Sequence, residues 1–176
     1  MTNHPELDLV RITRTNDLEE LICRIYRSTS DCIVASELSE SLDLDGLCLI
    51  PTKTIACFDR TFKKSNFYRA AVNAWPQASQ QVEMLRHLTG NLVSDLELLA
   101  TRQATVAVHM EFDDPDVAYV GTLAAGIDSG VQVHRISSRG KLLPDALHVE
   151  IAAITKVEVA TRYLTAVGYA ARKLSS

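Results

Sequence analysis

Residues 20–40 read ELICRIYRSTSDCIVASELSE, and residues 118–138 read AYVGTLAAGIDSGVQVHRISS. Laid over one another without a gap, they agree in register. Ile22 falls on Val120, Ile25 on Leu123, Ser30 on Asp128, Ile33 on Val131, Ala35 on Val133 and Leu38 on Ile136. One residue of slippage extends the match: Ile50, Thr52, Ile55 and Phe58 fall on Val149, Ile151, Ile154 and Val157. Tyr68-Arg69-Ala70-Ala71-Val72 then falls on Tyr163-Leu164-Thr165-Ala166-Val167. Few residues are identical. What agrees is the order of elements and the apolar register, the mark of an internal repeat.

Working outward, each half has the same plan. The first strand (Leu9–Arg14; Thr105–Phe112) alternates apolar and polar residues, as a half-buried strand does. A second strand follows (Leu21–Arg27; Tyr119–Ala125). Then come a third (Cys32–Leu38; Val131–Ile136) and, after a longer polar excursion, a fourth (Leu47–Ile50; Leu147–Ile151). A one-turn break separates the fourth from a short fifth (Ile55–Phe58; Lys156–Val159), and a helix closes each half (Asn66–Trp75; Thr161–Leu174). Asp113-Asp114-Pro115-Asp116 and Gly126-Ile127-Asp128-Ser129-Gly130 are turn chemistry. Tyr163, Val167, Ala170 and Leu174 share one face of the last helix, the face expected to be buried.

Between the halves, Ala78–Leu88 is a helix by periodicity, with Val82, Leu85 and Leu88 on one stripe and Thr89-Gly90-Asn91 ending it. Ser94 caps a second helix, Asp95–Thr101, with Glu97 completing a capping box. Leu92, Val93, Leu96, Leu98 and Leu99 need a surface to bury against, so this segment is expected to pack the halves into one body. The organisation reads as residues 1–76, a helical connector at 77–103, and residues 104–176. The fold class is mainly β with helices.

The composition supports a mostly aliphatic core: 47% of residues are hydrophobic but only 6% aromatic. The net charge of -4 is evenly spread, with 9 Lys and Arg against 11 Asp and Glu in residues 1–76 and the same numbers in 77–176. Neither part has the basic excess of a nucleic-acid-binding domain. The opening MTNHPELDLV lacks a basic region followed by an apolar run, and no apolar stretch reaches membrane-spanning length, so a cytoplasmic location is expected. Cys23, Cys32, Cys48 and Cys57 have no Cys-x-x-Cys spacing and read as reduced, buried or half-buried thiols.

Five bent strands with the last two separated by one turn resemble the plan of small SH3-like and Sm-like barrels. Gly121-Thr122-Leu123 with Asp128 downstream is similar to the Gly-x-Leu…Asp stretch of the first Sm motif. Val149-Glu150-Ile151-Ala152-Ala153-Ile154 resembles the fourth-to-fifth strand corner of that fold. Leu44-Asp45-Gly46 looks like a segment of bacterial proteins made of two such halves. The resemblance implies a tandem pseudo-repeat of five-stranded barrels. The RNA-reading residues of the Sm family are missing: Val131 stands where an Asn is expected, and the corners read His148-Val149-Glu150 and Cys48-Leu49-Ile50 without an Arg-Gly or Lys-Gly.

Candidate sites are few. Arg60, Phe62, Lys63, Lys64 and Arg69, with Phe67 and Tyr68, interleave basic and aromatic residues, a pattern that binds phosphates and stacks bases. His109, His134 and His148 lie on three strands, but their neighbours Val108, Val133 and Val149 read as core, so the imidazoles are expected to face outward and no metal site is assigned. Glu111, Asp113, Asp114 and Asp116 form an acidic hairpin tip without the spacing of a calcium loop. There is no nucleophile elbow, Walker sequence or dinucleotide fingerprint. The expectation is a non-catalytic protein-binding module, an adaptor, regulator or immunity-type antagonist, with no cofactor. The alternative is RNA or single-stranded nucleic-acid binding at Arg60–Arg69. Homo-oligomerisation is left open.

Overall fold

The alternation of apolar and polar residues becomes, among the described residues, ten strands in one sheet. The computed structural model describes residues 9–15, 18–73, 79–124 and 129–174, with the side chains of residues 79 and 80 left aside. β1 (Leu9–Arg14), β2 (Leu21–Ser28), β3 (Cys32–Glu37) and β4 (Leu47–Pro51) are followed by a single 3-10 turn (Thr52–Thr54), β5 (Ile55–Asp59) and helix α1 (Ser65–Val72). The connector holds α2 (Ser79–Leu85) and α3 (Leu92–Thr101). Then β6 (Thr105–His109), β7 (Ala118–Leu123), β8 (Gly130–Ile136) and β9 (Leu142–Glu150) precede a second 3-10 turn (Ile151–Ala153), β10 (Lys156–Val159) and α4 (Arg162–Leu174).

The repeat is visible in the pairing. Strands run in the order β5-β1-β2-β3-β4-β10-β6-β7-β8-β9, all neighbours antiparallel. Each half contributes its strands as fifth, first, second, third, fourth. The expected closed barrels do not form, because the sheet is open. A small barrel would close if β4 turned back toward β5. Instead the free edge of β4 is taken by β10, with Leu49 opposite Val157, Cys48 opposite Glu158 and Leu47 opposite Val159. The halves are thus joined by a strand ladder as well as by helices, a joint the repeat alone did not predict.

Period-two alternation gives β3 and β4 two buried faces. Ile33, Ala35, Cys48 and Ile50 join Val10, Ile12, Leu21 and Cys23 in one core. Cys32, Val34, Leu47 and Leu49 point the other way, into a larger core with Leu92, Leu96 and Leu99 of α3 and the valines of β6, β8, β9 and β10. The interior of the second half is therefore completed by α3 and by the back of the first half.

Local chemistry explains where other expectations shift. α3 starts at Leu92 because Asn91 Oδ1 accepts from the Ser94 amide, so Asn91 is the cap and not Ser94. The buried Asp95 carboxylate accepts from Thr89 N, Thr89 Oγ1 and Gly90 N, locking the turn before the helix. In α2 the inward face is Gln81, Met84 and Leu85, with Leu88 buried just beyond its end, while Val82 is 37% exposed. Gln81 is buried because its Nε2 donates to Leu44 O and Gly46 O. In α4 the buried stripe is Leu164, Gly168 and Ala171; Tyr163 and Leu174 are exposed. Small residues let that helix approach β6, which a search for large apolar side chains overlooks. β6 ends at His109, where Asp113 N and Asp114 N turn back to Met110 O. β9 begins five residues earlier than expected, at Leu142, and residues 126–128 of the expected turn lie outside the described residues, as do residues 74–78 at the expected ends of two helices.

Candidate functional site

Among the described residues two sheet edges are open: β5 pairs only with β1, and β9 pairs only with β8. On β5, Ala56, Cys57 and Phe58 are exposed, so Cys57 departs from the expected buried or half-buried thiol. On β9, Leu142 is 53% exposed, and seven of the other eight residues are exposed or half-buried. Pro144 and Asp145 guard the first part of this edge, since proline cannot donate to a ladder and a charge opposes aggregation. Ala146–Val149 carries no such guard.

The joint between the halves is also ionic. Arg14, whose side chain is 0% exposed, donates from Nη1 to Glu111 Oε1 (2.9 Å) and from Nη2 to Glu111 Oε2 (2.6 Å) and Thr155 O (3.0 Å). Glu111 is therefore not part of the acidic tip. Lys156 Nζ lies 3.2 Å from Glu37 and 2.9 Å from Glu158, and His109 Nε2 stands 3.2 Å from the same Glu158. His109 is thus turned into the joint, unlike the exposed His134 and His148. Leu44-Asp45-Gly46 forms a third tie: Asp45 Oδ1 accepts from the Arg162 amide, Asp43 pairs with the Arg162 guanidinium, and Gly46 O accepts from Ser36 and Gln81. Gly46 sits at φ +70°, and a Cβ there would meet Thr161 N at 2.8 Å and Val159 O at 2.8 Å.

The basic-aromatic segment divides in two. Phe62 is buried and stacks on Tyr68 at 6.1 Å between centroids. Arg69 donates to Arg60 O at 2.7 Å and reaches Leu9 O at 3.5 Å, fastening α1 to the sheet. Arg60, Lys63 and Lys64 are exposed, and Phe67 is 56% exposed beside them. Asp113, Asp114 and Asp116 stay at the hairpin surface, with Tyr119 Oη donating to Asp114. Among the described residues no three His, Cys, Asp or Glu side chains are placed to share a metal ion.

No family model, curated protein or solved structure matches this chain.

Function must therefore be argued from the molecule itself. Among the described residues no helix is long and apolar enough to cross a membrane. Three cysteines are buried; a hydrogen bond to Cys48 together with burial raises the pKa of Cys23, and burial raises that of Cys32. Cys23 and Cys32 remain thiols at neutral pH, poorly suited to nucleophilic work. The ionic joint was missed in the sequence because its members come from β1, β3, β6, the turn after β6 and β10, with no fixed spacing. Its one sequence signal was the charge of Lys156 and Glu158 in a strand otherwise apolar.

That joint sets a pH dependence. Burial pushes Glu158 upward, but His109 and Lys156 outweigh it and hold the carboxyl at about 2, against 4.5 for the free group. Burial opposes charge on Lys156 too, yet Glu158 and Glu37 raise its pKa. Glu111 is lowered, burial being overcome by Arg14 and Thr155. A lowered carboxyl binds its proton less readily when folded. Its stabilisation is whole above about pH 4.5 and is lost as pH falls toward about 2. Urea unfolding in steps from pH 7 to pH 2.5 should show this loss, with the Glu158 share at most about 3 kcal/mol. Glu158→Gln should flatten that limb; an unchanged slope would show that the joint is not charged in this way.

Proposed function

We propose that the chain is a non-catalytic protein-binding module, an adaptor, regulator or antagonist, that takes an extended segment of another protein along the β9 edge. In this reading the halves are small barrels of the SH3-like and Sm-like kind, opened where the fourth strand of one meets the fifth of the other. The observation that carries it is the β4·β10 joint, where three β4 residues, Leu47–Leu49, accept a strand. The repeat offset places Ala146–His148 of β9 at the corresponding position, and among the described residues no strand lies beside them. Strand addition supplies main-chain hydrogen bonds, and side chains of alternate residues supply selectivity. A second copy of the chain, offering its β5 edge, is one such partner. Nucleic-acid binding at residues 60–69 has less support, because Phe62 and Arg69 are committed inward.

The test is affinity capture from the native cell, run side by side with the Leu142→Glu/Leu143→Glu variant. Both leucines are exposed, so circular dichroism should be unchanged. A stoichiometric protein should be recovered with the native chain and fall about tenfold with the variant, the scale of losing two apolar contacts at ~0.8 kcal/mol or more each. Size-exclusion chromatography with light scattering reports whether that protein is a second copy. Equal recovery with both chains, or no stoichiometric partner with either, would overturn the reading.

A further inference from the structure

Inside the molecule the fourth strand of one half meets the fifth strand of the other once, at β4 and β10. Among the described residues, the other fourth strand, β9, and the other fifth strand, β5, each lack a second neighbour. They stand at opposite ends of the ten-stranded order, where one chain does not pair them. The repeat fixes the register that a contact between two copies would have. Ile12 pairs with Phe58 and Val108 with Val157, so Phe58 is the counterpart of Val157, and Asp59 of Glu158. Ile33 pairs with Ile50 and Val131 with Val149, so Leu49 is the counterpart of His148, and Leu47 of Ala146. The internal pairs are Leu49 with Val157, Cys48 with Glu158 and Leu47 with Val159. Carried across copies, they set His148 opposite Phe58, Leu147 opposite Asp59 and Ala146 opposite Arg60.

Burial differs between the counterparts as a missing strand would make it differ. Val157, with β4 beside it, is 0% exposed, whereas Phe58 is 47% exposed. Lys156 is buried and Cys57 exposed; Cys48 is buried and Leu147 half-buried. The charges correspond too. Arg162, three residues past Val159, pairs with Asp43 and Asp45 just ahead of β4. Lys63 holds the same place past Arg60, and Asp145 lies in the matching stretch of β9; both are exposed. A cation following the fifth strand and a carboxylate at the start of the fourth are thus present at the open edges as they are at the closed joint.

We infer that the chain assembles head to tail, β9 of one copy pairing antiparallel with β5 of the next in this register. The inference rests on β9 being a strand-accepting edge, as proposed above, and names a second copy as its occupant. The two faces in contact differ, so copies add in one direction, closing into a ring if the rotation allows and otherwise extending as a filament. The contact is weaker than the internal joint. Ala146 and His148 stand where Leu47 and Leu49 are buried, and α3, which packs against those leucines, has no counterpart at the β9 edge. Assembly therefore depends on concentration.

The test uses the intact, purified chain. Its average mass by sedimentation should rise as concentration goes from micromolar to millimolar. Phe58→Lys removes the apolar contact and should weaken association about tenfold, with circular dichroism unchanged. Cross-linking reads the register in a Cys57→Ser background, with copper phenanthroline and air as oxidant. A His148→Cys chain mixed with a Phe58→Cys chain should give a disulfide-linked dimer holding one of each, and neither chain alone should link. Leu142→Cys mixed with Phe58→Cys, out of register, should give none. A mass of one chain at every concentration would overturn the inference. So would association that Phe58→Lys leaves unchanged, or a His148→Cys chain that links to itself and so pairs two β9 edges. Failure here is separable from failure of the β9 reading. A monomer that still loses its native-cell partner on Leu142→Glu/Leu143→Glu keeps the edge and removes the second copy from it. A monomer that recovers that partner equally with the variant overturns both.

Discussion

Leu96→Asp is expected to abolish cooperative folding. Leu96 is 0% exposed and lies in the middle of α3, where the back of β3 and β4 meets the interior of the second half. The substitution removes a buried side chain worth ~1.5–3 kcal/mol and puts a carboxylate among aliphatic residues with nothing to pair it. The sum approaches the whole stability of a domain, about 5–15 kcal/mol. Leu96→Ala keeps the measurement quantitative and should cost about 2–5 kcal/mol in urea unfolding. Asp116→Ala, at the exposed hairpin, should stay within about 0.5 kcal/mol. A Leu96→Ala variant as stable as the native chain would mean that α3 does not join the two halves.

The second large effect is at Arg14. Arg14→Ala should cost about 3–5 kcal/mol, because Glu111 is left partly buried and charged while Thr155 O loses a donor. The more telling experiment is Arg14→Met combined with Glu111→Leu. Nε of Arg14 has no hydrogen-bond partner, so the native pair is already imperfectly satisfied. Replacing both members with apolar side chains should recover much of the loss, giving a double variant more stable than Arg14→Ala alone. If the two losses simply add in urea unfolding, the pair is not coupled across the joint and the contact is incidental.

Strand alternation, the offset between the halves and the one-turn break before the fifth strand were all legible, because each is local or periodic. Partner choice at a strand edge was not, since a main-chain ladder leaves little trace in side chains. A partial sign existed. Cys32–Ala35 and Leu47–Ile50 are unbroken small or apolar runs, as strands buried on both faces are. The burial of Phe62 and the inward role of Arg69 were hidden for another reason: composition identifies an aromatic or an arginine but not its direction.

The ladder between β4 and β10 ties together residues made far apart in time. Leu47–Leu49 leaves the ribosome roughly 110 residues before Val157–Val159, an interval of about 5–20 s at ordinary elongation rates. Throughout it the first half can pair its own five strands, yet the outer faces of Cys32, Val34, Leu47 and Leu49 and the whole edge of β4 lie bare. The nascent chain is therefore most vulnerable to aggregation in the middle of synthesis, and holdase chaperones would act on it there.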